Sequence, residues 1–345
     1  MYDSRIHRQH RLVMDFFARL ALSNTFKKRK ENGQNMKVKK IVHVLAIFAV
    51  AVISQNLFAQ GLNWEGQTGA LITPFAYTAS SGAKTFGNPE VAFHYLAGGP
   101  AIGNQFTFSA TEGIAKRFEA GFTTTFDAEG SNSINGPAPK LPGAFFDGSY
   151  TTLHGKFTLV KENDYKTKWL PAIAIGATGR FGDGRIISAE ASNLEIEHLG
   201  ISRTNGDFYV VATKMVPVKK ITLVLNAGEK VTNGVLMGLA GNAGSYNQLH
   251  QRWQGNWFAA AGFAFKGPAK STIILGSEAL QEPHYLEAVG GDATIPTTLS
   301  YFARIQPKGK PLDVDFALVQ AAGKINPDVD VSARARFGMG VSYHF

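Results

Sequence analysis

The residues of this sequence that could do chemistry are scattered, and their spacing forms no catalytic or metal-binding motif. His94 and His154 are the candidate general bases, but no serine stands beside either one on the same face of a strand. Three further histidines, His198, His250 and His284, fall in three separate connections, without the close spacing of metal ligands. The sequence therefore predicts no catalytic residue, no metal site and no cofactor.

Two short segments carry weaker signals for a ligand. The segment 179–184 contains three glycines, but it does not follow the strand-to-helix pattern of a phosphate-binding loop. Asp127 and Glu129 could contact a divalent cation, although such carboxylates more often lie in a plain solvated loop. Neither segment changes the expectation of a non-enzymatic protein.

The elements that would position these residues are indicated most clearly by the last seventeen residues, 329–345. Apolar and polar residues alternate there, and successive side chains of a strand point to opposite faces, so the segment predicts one long strand. The apolar parity comprises Val329, Val331, Ala333, Ala335, Phe337, Met339, Val341, Tyr343 and Phe345. A strand with one greasy face suits either a membrane barrel or the closing strand of a soluble β-sandwich.

This carboxyl-terminal pattern resembles the closing strand of Gram-negative outer-membrane β-barrels, which commonly end in phenylalanine after alternating apolar residues. The resemblance implies that Tyr343 and Phe345 form a membrane-insertion signal, that the barrel-assembly machinery recognises this strand, and that outer-membrane lipid and lipopolysaccharide surround the protein. The segment Gly69–Ala76 also loosely resembles the Gly-Leu-Ile-x-Thr-Pro opening of some polysaccharide-associated outer-membrane barrels.

Composition and charge narrow the class further. The chain has 345 residues, with 37 Gly, 25 Phe, 10 Tyr and no Cys, which suits many strands joined by tight turns. Of its 35 Lys and Arg, 11 lie in residues 1–59 with only 3 of the 26 Asp and Glu, which leaves 24 basic and 23 acidic residues downstream. Because the net charge of +9 is concentrated in the leader, we expect no nucleic-acid partner.

The amino-terminal region predicts a secreted protein. Residues 36–59 combine a basic stretch, an apolar run of fourteen residues and a small residue at Ala59, as in a signal peptide. Residues 1–35 are interpreted as a non-native upstream extension of that leader. Residues 60–88 are Gly-rich and interrupted by Pro74, and they are expected either to fold into the barrel lumen as a plug or to lie in the periplasm.

Residues 89–345 predict an all-β fold, a single antiparallel transmembrane barrel of twelve strands with short periplasmic turns and long extracellular loops. Each predicted strand has about ten residues, which is the length that crosses a bilayer at a steep tilt. The connections alternate between short and long, as in bacterial outer-membrane barrels. The strands are expected near 90–97, 104–111, 116–126, 150–160, 169–181, 207–216, 219–230, 256–266, 270–280, 298–306, 311–320 and 329–345.

The polar parity of these strands predicts the residues that line the lumen. They are Arg117, Glu119, His154, Lys156, Arg180, Lys214, Arg304, Asp313, Asp315, Arg334 and Arg336, together with His94, Gln105, Thr107 and Glu278. Basic residues outnumber acidic ones in this set, so the lumen is expected to be mildly basic. A hairpin turn near residues 325–326 would place Asp315 opposite Arg336, which predicts a lumenal ion pair.

The sequence thus favours an outer-membrane barrel that acts as a narrow channel or solute transporter, with an excess of basic groups that favours anions. An internal network of salt bridges that fills a narrow, non-conducting barrel is an equally open alternative. Such a barrel would be structural or adhesive, and a lipid-modifying barrel enzyme is the third possibility. The oligomeric state is not indicated.

Overall fold

The structure of the protein is a computed structural model. It describes residues 61–79, 84–97, 104–128, 149–182, 201–202, 204–234, 245–246, 253–283, 297–322, 324–326, 329–330 and 335–345. The predicted signal peptide at 36–59 and the upstream segment at 1–35 lie outside these residues, as do His198, His250, His284 and Glu129.

Twelve antiparallel strands close into one barrel, in which every strand pairs with its neighbours in sequence and the last pairs with the first. The strands are β1 Glu90–Ala97, β2 Asn104–Ile114, β3 Phe118–Ala128, β4 Ser149–Val160, β5 Ala172–Gly182, β6 Thr204–Val218, β7 Ile221–Thr232, β8 Gln254–Lys266, β9 Thr272–Leu280, β10 Thr297–Gln306, β11 Leu312–Ala322 and β12 Arg336–His344. The expected fold class and strand count are confirmed.

The alternation of side chains along each strand separates two environments. Large apolar side chains face outward and stay exposed, for example Phe122 in β3, Leu225 in β7 and Phe263 in β8. Their chain neighbours face inward and are buried, as with Thr123 and Asn226. An exposed greasy face beside a buried polar face reverses the usual arrangement of a soluble sheet protein.

The ends of the barrel differ in the length of their connections. At one end the strands are joined by the short turns 115–117, 161–171, 219–220, 267–271 and 307–311, and both termini of the barrel, Glu90 and His344, lie at this end. The connections at the other end, such as 129–148 and 183–203, are much longer. This asymmetry matches the expected arrangement of periplasmic turns and extracellular loops.

The final strand is shorter than the sequence pattern indicates. A single strand over 329–345 is wrong, because the barrel strand begins at Arg336. Val329–Asp330 instead pairs with Lys324–Asn326 in a separate two-stranded sheet, and Ile201–Ser202 pairs with Ser245–Tyr246 in another. The apolar–polar alternation continues through 329–335, but alternation alone does not say which partner a strand takes.

Charged residues are few on the outward face. Between the ends of the described strands, the outward parity carries only Glu112, Lys214 and Glu229 as ionisable Lys, Arg, Asp or Glu residues. Glu112 lies close to the short-turn end of β2, and Glu229 lies three residues from the far end of β7. No helix among the described residues has the length and apolarity of a membrane span.

The exposed belt gives a test of membrane insertion. Replacing Leu225, in the middle of β7, with arginine should lower the free energy of unfolding in lipid vesicles by about 2–4 kcal/mol, whereas the same change at Ile221, at the strand end, should cost about 0–1 kcal/mol. Urea titrations in vesicles measure both values. Equal costs at the two depths would contradict a bilayer around this belt.

Candidate functional site

The interior of the barrel is occupied by residues 61–79. Every residue from Gly61 to Ala76 is buried, and the segment forms neither a regular strand nor a helix. Two antiparallel bridges and several backbone hydrogen bonds fold it back on itself, with Leu62 bridging Thr68 and Gly69 bridging Pro74. We call residues 61–79 the interior segment.

Glu278 of β9 binds the interior segment through its main chain. The carboxylate accepts the backbone N–H groups of Leu71, Ile72 and Thr73 at 2.7–3.2 Å, and the hydroxyl of Thr73 donates to it at 2.7 Å. Hydrogen bonds to an ionised carboxylate are among the strong ones, and buried N–H groups are costly without a partner. Glu278 therefore fixes the turn of the segment against β9.

A second carboxylate, Glu119 of β3, holds two distant points of the same segment. It accepts the backbone N–H of Thr68 at 3.1 Å and that of Ala79 at 2.7 Å. Lys156 of β4 lies 2.9 Å from Glu119 Oε1, and its Nζ donates to the carbonyl oxygen of Thr68 at 3.0 Å. The pair thus satisfies both the N–H and the C=O of Thr68.

Arg304 of β10 joins the segment to the neighbouring strand. Its Nε and Nη2 donate to the two carboxylate oxygens of Asp315 on β11 at 2.7 and 3.0 Å, a bidentate contact. The same guanidinium donates to the carbonyl oxygens of Gly69 at 2.9 Å and Ala70 at 3.3 Å. A guanidinium has five N–H donors, and this arrangement engages them on both sides.

The interior segment contributes one charged side chain, Glu65, to a buried network of ion pairs. Arg180 of β5 donates to the carboxylates of Glu65 and Asp207, the latter at 2.6 Å. Lys230 of β7 lies 3.4 Å from Glu65 and 3.3 Å from Asp207. Two cations and two anions therefore balance within one cluster, as buried charges require.

Apolar contacts add to these polar contacts within the interior. Leu71, Ile72 and Phe75 of the interior segment belong to one buried cluster with inward side chains of β6 to β11. These partners include Val211, Val224, Phe258, Ile274, Leu280 and Phe302. The segment is thus held both by ion pairs and hydrogen bonds and by hydrophobic packing, and strands β6 to β11 contribute to both.

The structure places most of the predicted lumenal residues on the inward face. Arg336 has the inward parity but is only half-buried, and Arg334 lies outside the described residues. The inward and buried residues are Glu119, His154, Lys156, Arg180, Arg304, Asp313 and Asp315, with His94, Gln105, Thr107 and Glu278. Tyr343 and Phe345 face outward, with ring centroids 5.0 Å apart.

Two predicted lumenal residues are wrong. Arg117 lies in the turn before β3, and its guanidinium donates to the carbonyl oxygens of Thr158 and Leu159 at the rim. Lys214 has the outward parity, because its neighbour Thr213 is the buried residue. The ammonium of Lys214 reaches the β4–β5 turn, where it lies 3.0 Å from Glu162.

The predicted ion pair between Asp315 and Arg336 is also wrong. Asp315 is paired in register with Gly340 on β12, and Arg336 stands opposite Val319, so the strand is displaced by four residues from the expected pairing. Asp315 finds its partner on the other side, since Arg304 is its register partner in β10. A shift by an even number of residues keeps every side chain on its face, so the alternation pattern does not detect it.

The expected basic excess is overturned for the described interior. Lys156, Arg180, Lys230 and Arg304 are the buried basic residues of the described strands. The buried acidic ones are more numerous, and they are Glu90, Glu119, Asp207, Glu278, Asp313 and Asp315. The count of four basic and six acidic residues leaves out Arg117 and Lys214, the half-buried Arg336, and Arg334, which lies outside the described residues, and it adds Glu90, Asp207 and Lys230.

Sequence reasoning missed Glu65, Glu90, Asp207 and Lys230. Asp207 and Lys230 lie at the ends of the predicted strands, and both have the same parity as residues that face inward, Thr213 and Asn226. Counting the alternation to the last residue of each strand would have found them. Glu65 lies in a segment without periodicity, so the sequence carries no signal for its position.

The described histidines do not form a catalytic arrangement. Nε2 of His154 lies 3.4 Å from the hydroxyl oxygen of Thr111, but that hydroxyl donates to the carbonyl oxygen of Gly66. The same nitrogen faces Glu119 at 3.9 Å, so the carboxylate does not orient the ring from its other nitrogen. Within the described residues no three His, Asp or Glu side chains are placed to hold a metal ion.

The outward face decides the environment of the barrel. Aromatic and aliphatic side chains that are about two-fifths to three-fifths exposed surround it, among them Phe108, Leu153, Phe208, Tyr301 and Phe316. Water would make this surface strongly unfavourable, whereas hydrocarbon accepts it, and the closed sheet leaves no unpaired edge in lipid. The protein is a transmembrane β-barrel of the outer-membrane type. It therefore resides in the outer membrane, with its short turns on the periplasmic side.

Comparison with known proteins finds only distant similarity. No family model and no curated protein matches the chain. Solved structures that it resembles include the NanC porin, with 9% identity over 74% of this chain and 100% of that chain and a TM-score of 0.42. A KdgM porin in complex with disordered oligogalacturonate gives 9% identity, 74% and 99% coverage and a TM-score of 0.41. LpxR from Salmonella typhimurium gives 8% identity, 74% and 100% coverage and a TM-score of 0.44.

Removal of the Glu278 carboxylate tests how the interior segment is held. Glu278→Ala leaves three buried N–H groups without their acceptor, so we expect a loss of at least about 3 kcal/mol in the free energy of unfolding and faster proteolysis of residues 61–79. Glu278→Gln keeps one acceptor oxygen and should lie between. Urea titration and limited proteolysis measure both effects.

Ser277→Ala is the matched control, because Ser277 is the adjacent residue and faces outward. If Glu278→Ala and Ser277→Ala gave the same unfolding midpoint and the same proteolysis rate, Glu278 would not anchor the segment.

Proposed function

We propose that the protein is a gated outer-membrane channel for small solutes, and that the interior segment closes it in the state described above. The observation that carries this proposal is the wall behind the segment, where ten buried Asp, Glu, Lys and Arg side chains of the described strands line a narrow barrel. A pore wall of mixed charge is well solvated when water fills the barrel.

A permanently filled barrel has little use for so many charges. Buried ion pairs contribute little net stability, and well-packed apolar residues of the same volume often stabilise a protein more. The contacts of Glu119, Lys156, Arg180 and Arg304 with the segment are hydrogen bonds and ion pairs, which water replaces when the segment leaves. The polar wall therefore supports an interior segment that can leave the lumen and return to it.

The second candidate is a non-conducting structural barrel. It is favoured by the packing of Leu71, Ile72 and Phe75 against apolar side chains of β6 to β11. Burial of such a side chain contributes about 1.5–3 kcal/mol, so these three together oppose displacement of the segment by several kcal/mol. Opening of the channel must therefore be driven, by solute, by a periplasmic partner or by voltage.

The charge of the wall sets the expected solute. With six buried carboxylates and four buried cations on the described strands, an open lumen should favour cations over anions of the same size. This replaces the anion preference expected from the sequence.

A reversible cross-link distinguishes the two candidates. The chain has no Cys, so a pair introduced at Ala76 and Thr213 would be unique; the backbone nitrogen of Ala76 lies 2.7 Å from the hydroxyl oxygen of Thr213. In planar bilayers we expect cation-selective openings from the reduced Ala76→Cys/Thr213→Cys protein, none after oxidation, and recovery with reductant. The single variants Ala76→Cys and Thr213→Cys should not respond to reductant.

Absence of openings under applied voltage in both the wild type and the reduced double variant, with the barrel intact by its resistance to denaturation on gels, would exclude a voltage-driven channel and favour the structural barrel. Conductance that persists after oxidation would show that the interior segment is not the gate.

A further inference from the structure

The net charge downstream of residue 59 is near neutral, but basic residues are concentrated at the periplasmic end of the barrel. The turns at the periplasmic end, together with Lys266 at the end of β8, contain eleven of the 24 Lys and Arg residues found after residue 59. The same turns contain only two acidic residues. We call this set the basic rim, and its members are Lys116, Arg117, Lys161, Lys166, Lys168, Lys219, Lys220, Lys266, Lys270, Lys308 and Lys310.

The two acidic residues of the turns are already engaged. Glu162 lies 3.0 Å from Lys214 Nζ and accepts the hydroxyl of Tyr77 at 2.6 Å. Asp164 accepts the backbone N–H of Lys161 at 2.9 Å and lies 3.8 Å from Arg117. They therefore do not neutralise the exposed lysines of the other turns, such as Lys219, Lys308 and Lys310.

Four of these lysines occupy backbone conformations that L side chains rarely adopt. The φ angles are 62° at Lys116, 60° at Lys166, 54° at Lys219 and 63° at Lys270. Glycine or asparagine is the usual residue at such turn positions, because a side chain there is strained. A lysine in each of four separate turns costs conformational energy that the turns themselves do not require.

The basic rim begins where the apolar belt ends. Phe118, Ile221 and Ile273 are outward residues at or next to the short-turn ends of their strands, one to three positions from a lysine or arginine of the rim. Phosphate groups of a bilayer lie at this height, and a lysine stem can extend its ammonium toward them. Trp169 and Tyr165 of the β4–β5 turn are 82% and 83% exposed, as aromatic residues at a membrane interface are.

We propose that the basic rim binds the headgroups of anionic phospholipids in the periplasmic leaflet. The rim has cations in all five turns from β2 to β11, so it matches a shell of separate headgroups around the barrel. A single acidic polymer would need a continuous track across one side of the mouth. The proposal does not depend on whether the barrel conducts.

The test compares lipids on the full-length mature protein in detergent micelles, with native mass spectrometry as the readout. Wild-type protein should retain short-chain phosphatidylglycerol on the order of tenfold more tightly than phosphatidylcholine, and the preference should fall as salt is added. The variant Lys219→Gln/Lys220→Gln/Lys308→Gln/Lys310→Gln should lose most of it. The corresponding Lys→Arg variant keeps the charges and should retain it.

Three results would overturn the proposal. One is equal retention of the two lipids by the wild type, and another is an unchanged preference in the folded glutamine variant. The third is tighter binding of dextran sulfate than of phosphatidylglycerol through the same four lysines, which would assign the rim to a soluble polyanion. Heat-modified gel mobility confirms that each variant retains its barrel.

Discussion

Closure of the hydrogen-bonded sheet is the constraint on which the rest of the structure depends. Lipid offers no partner to a backbone N–H or C=O group, so the first strand must pair with the last. In this protein β1 and β12 pair from Glu90 opposite His344 to Leu96 opposite Gly338. At the periplasmic end of the seam, the two ring nitrogens of His344 lie 3.2 Å from Glu90 and 3.0 Å from Asp313, which ties β12 to both of its neighbours.

The same constraint explains why the fold could be predicted from the sequence. A strand that separates hydrocarbon from a polar interior must alternate apolar and polar side chains. The residue types of Phe122 and Thr123, or of Leu225 and Asn226, therefore indicate which side chain faces outward and which faces inward. Pairing is less visible, because a shift by four residues leaves every face unchanged. The displaced pairing of β12 therefore removed the expected Asp315–Arg336 contact without altering the fold.

The interior was only partly accessible for a different reason. Strand parity identified inward groups such as Glu119, Arg180 and Glu278, but their partners lie in residues 61–79, where glycine, proline and polar residues follow no period. Contacts between a periodic wall and an aperiodic segment depend on the path of that segment, which no local pattern encodes. The net charge gave no sign of the basic rim, because a near-neutral total does not show that lysines are concentrated at one end of the barrel.

The carboxylate of Glu278 contacts the interior segment through amide hydrogens that every residue except proline carries, and through a single hydroxyl. It thus recognises the path of the main chain more than the side chains of its residues. Homologous chains could exchange the side chains at Leu71 and Ile72 freely, provided that the opposing apolar wall changes with them, and still keep this attachment. The barrel wall in this respect binds a turn of the main chain. A foreign peptide grafted between Gly61 and Ala79 would meet the same acceptor if it turned at the same place.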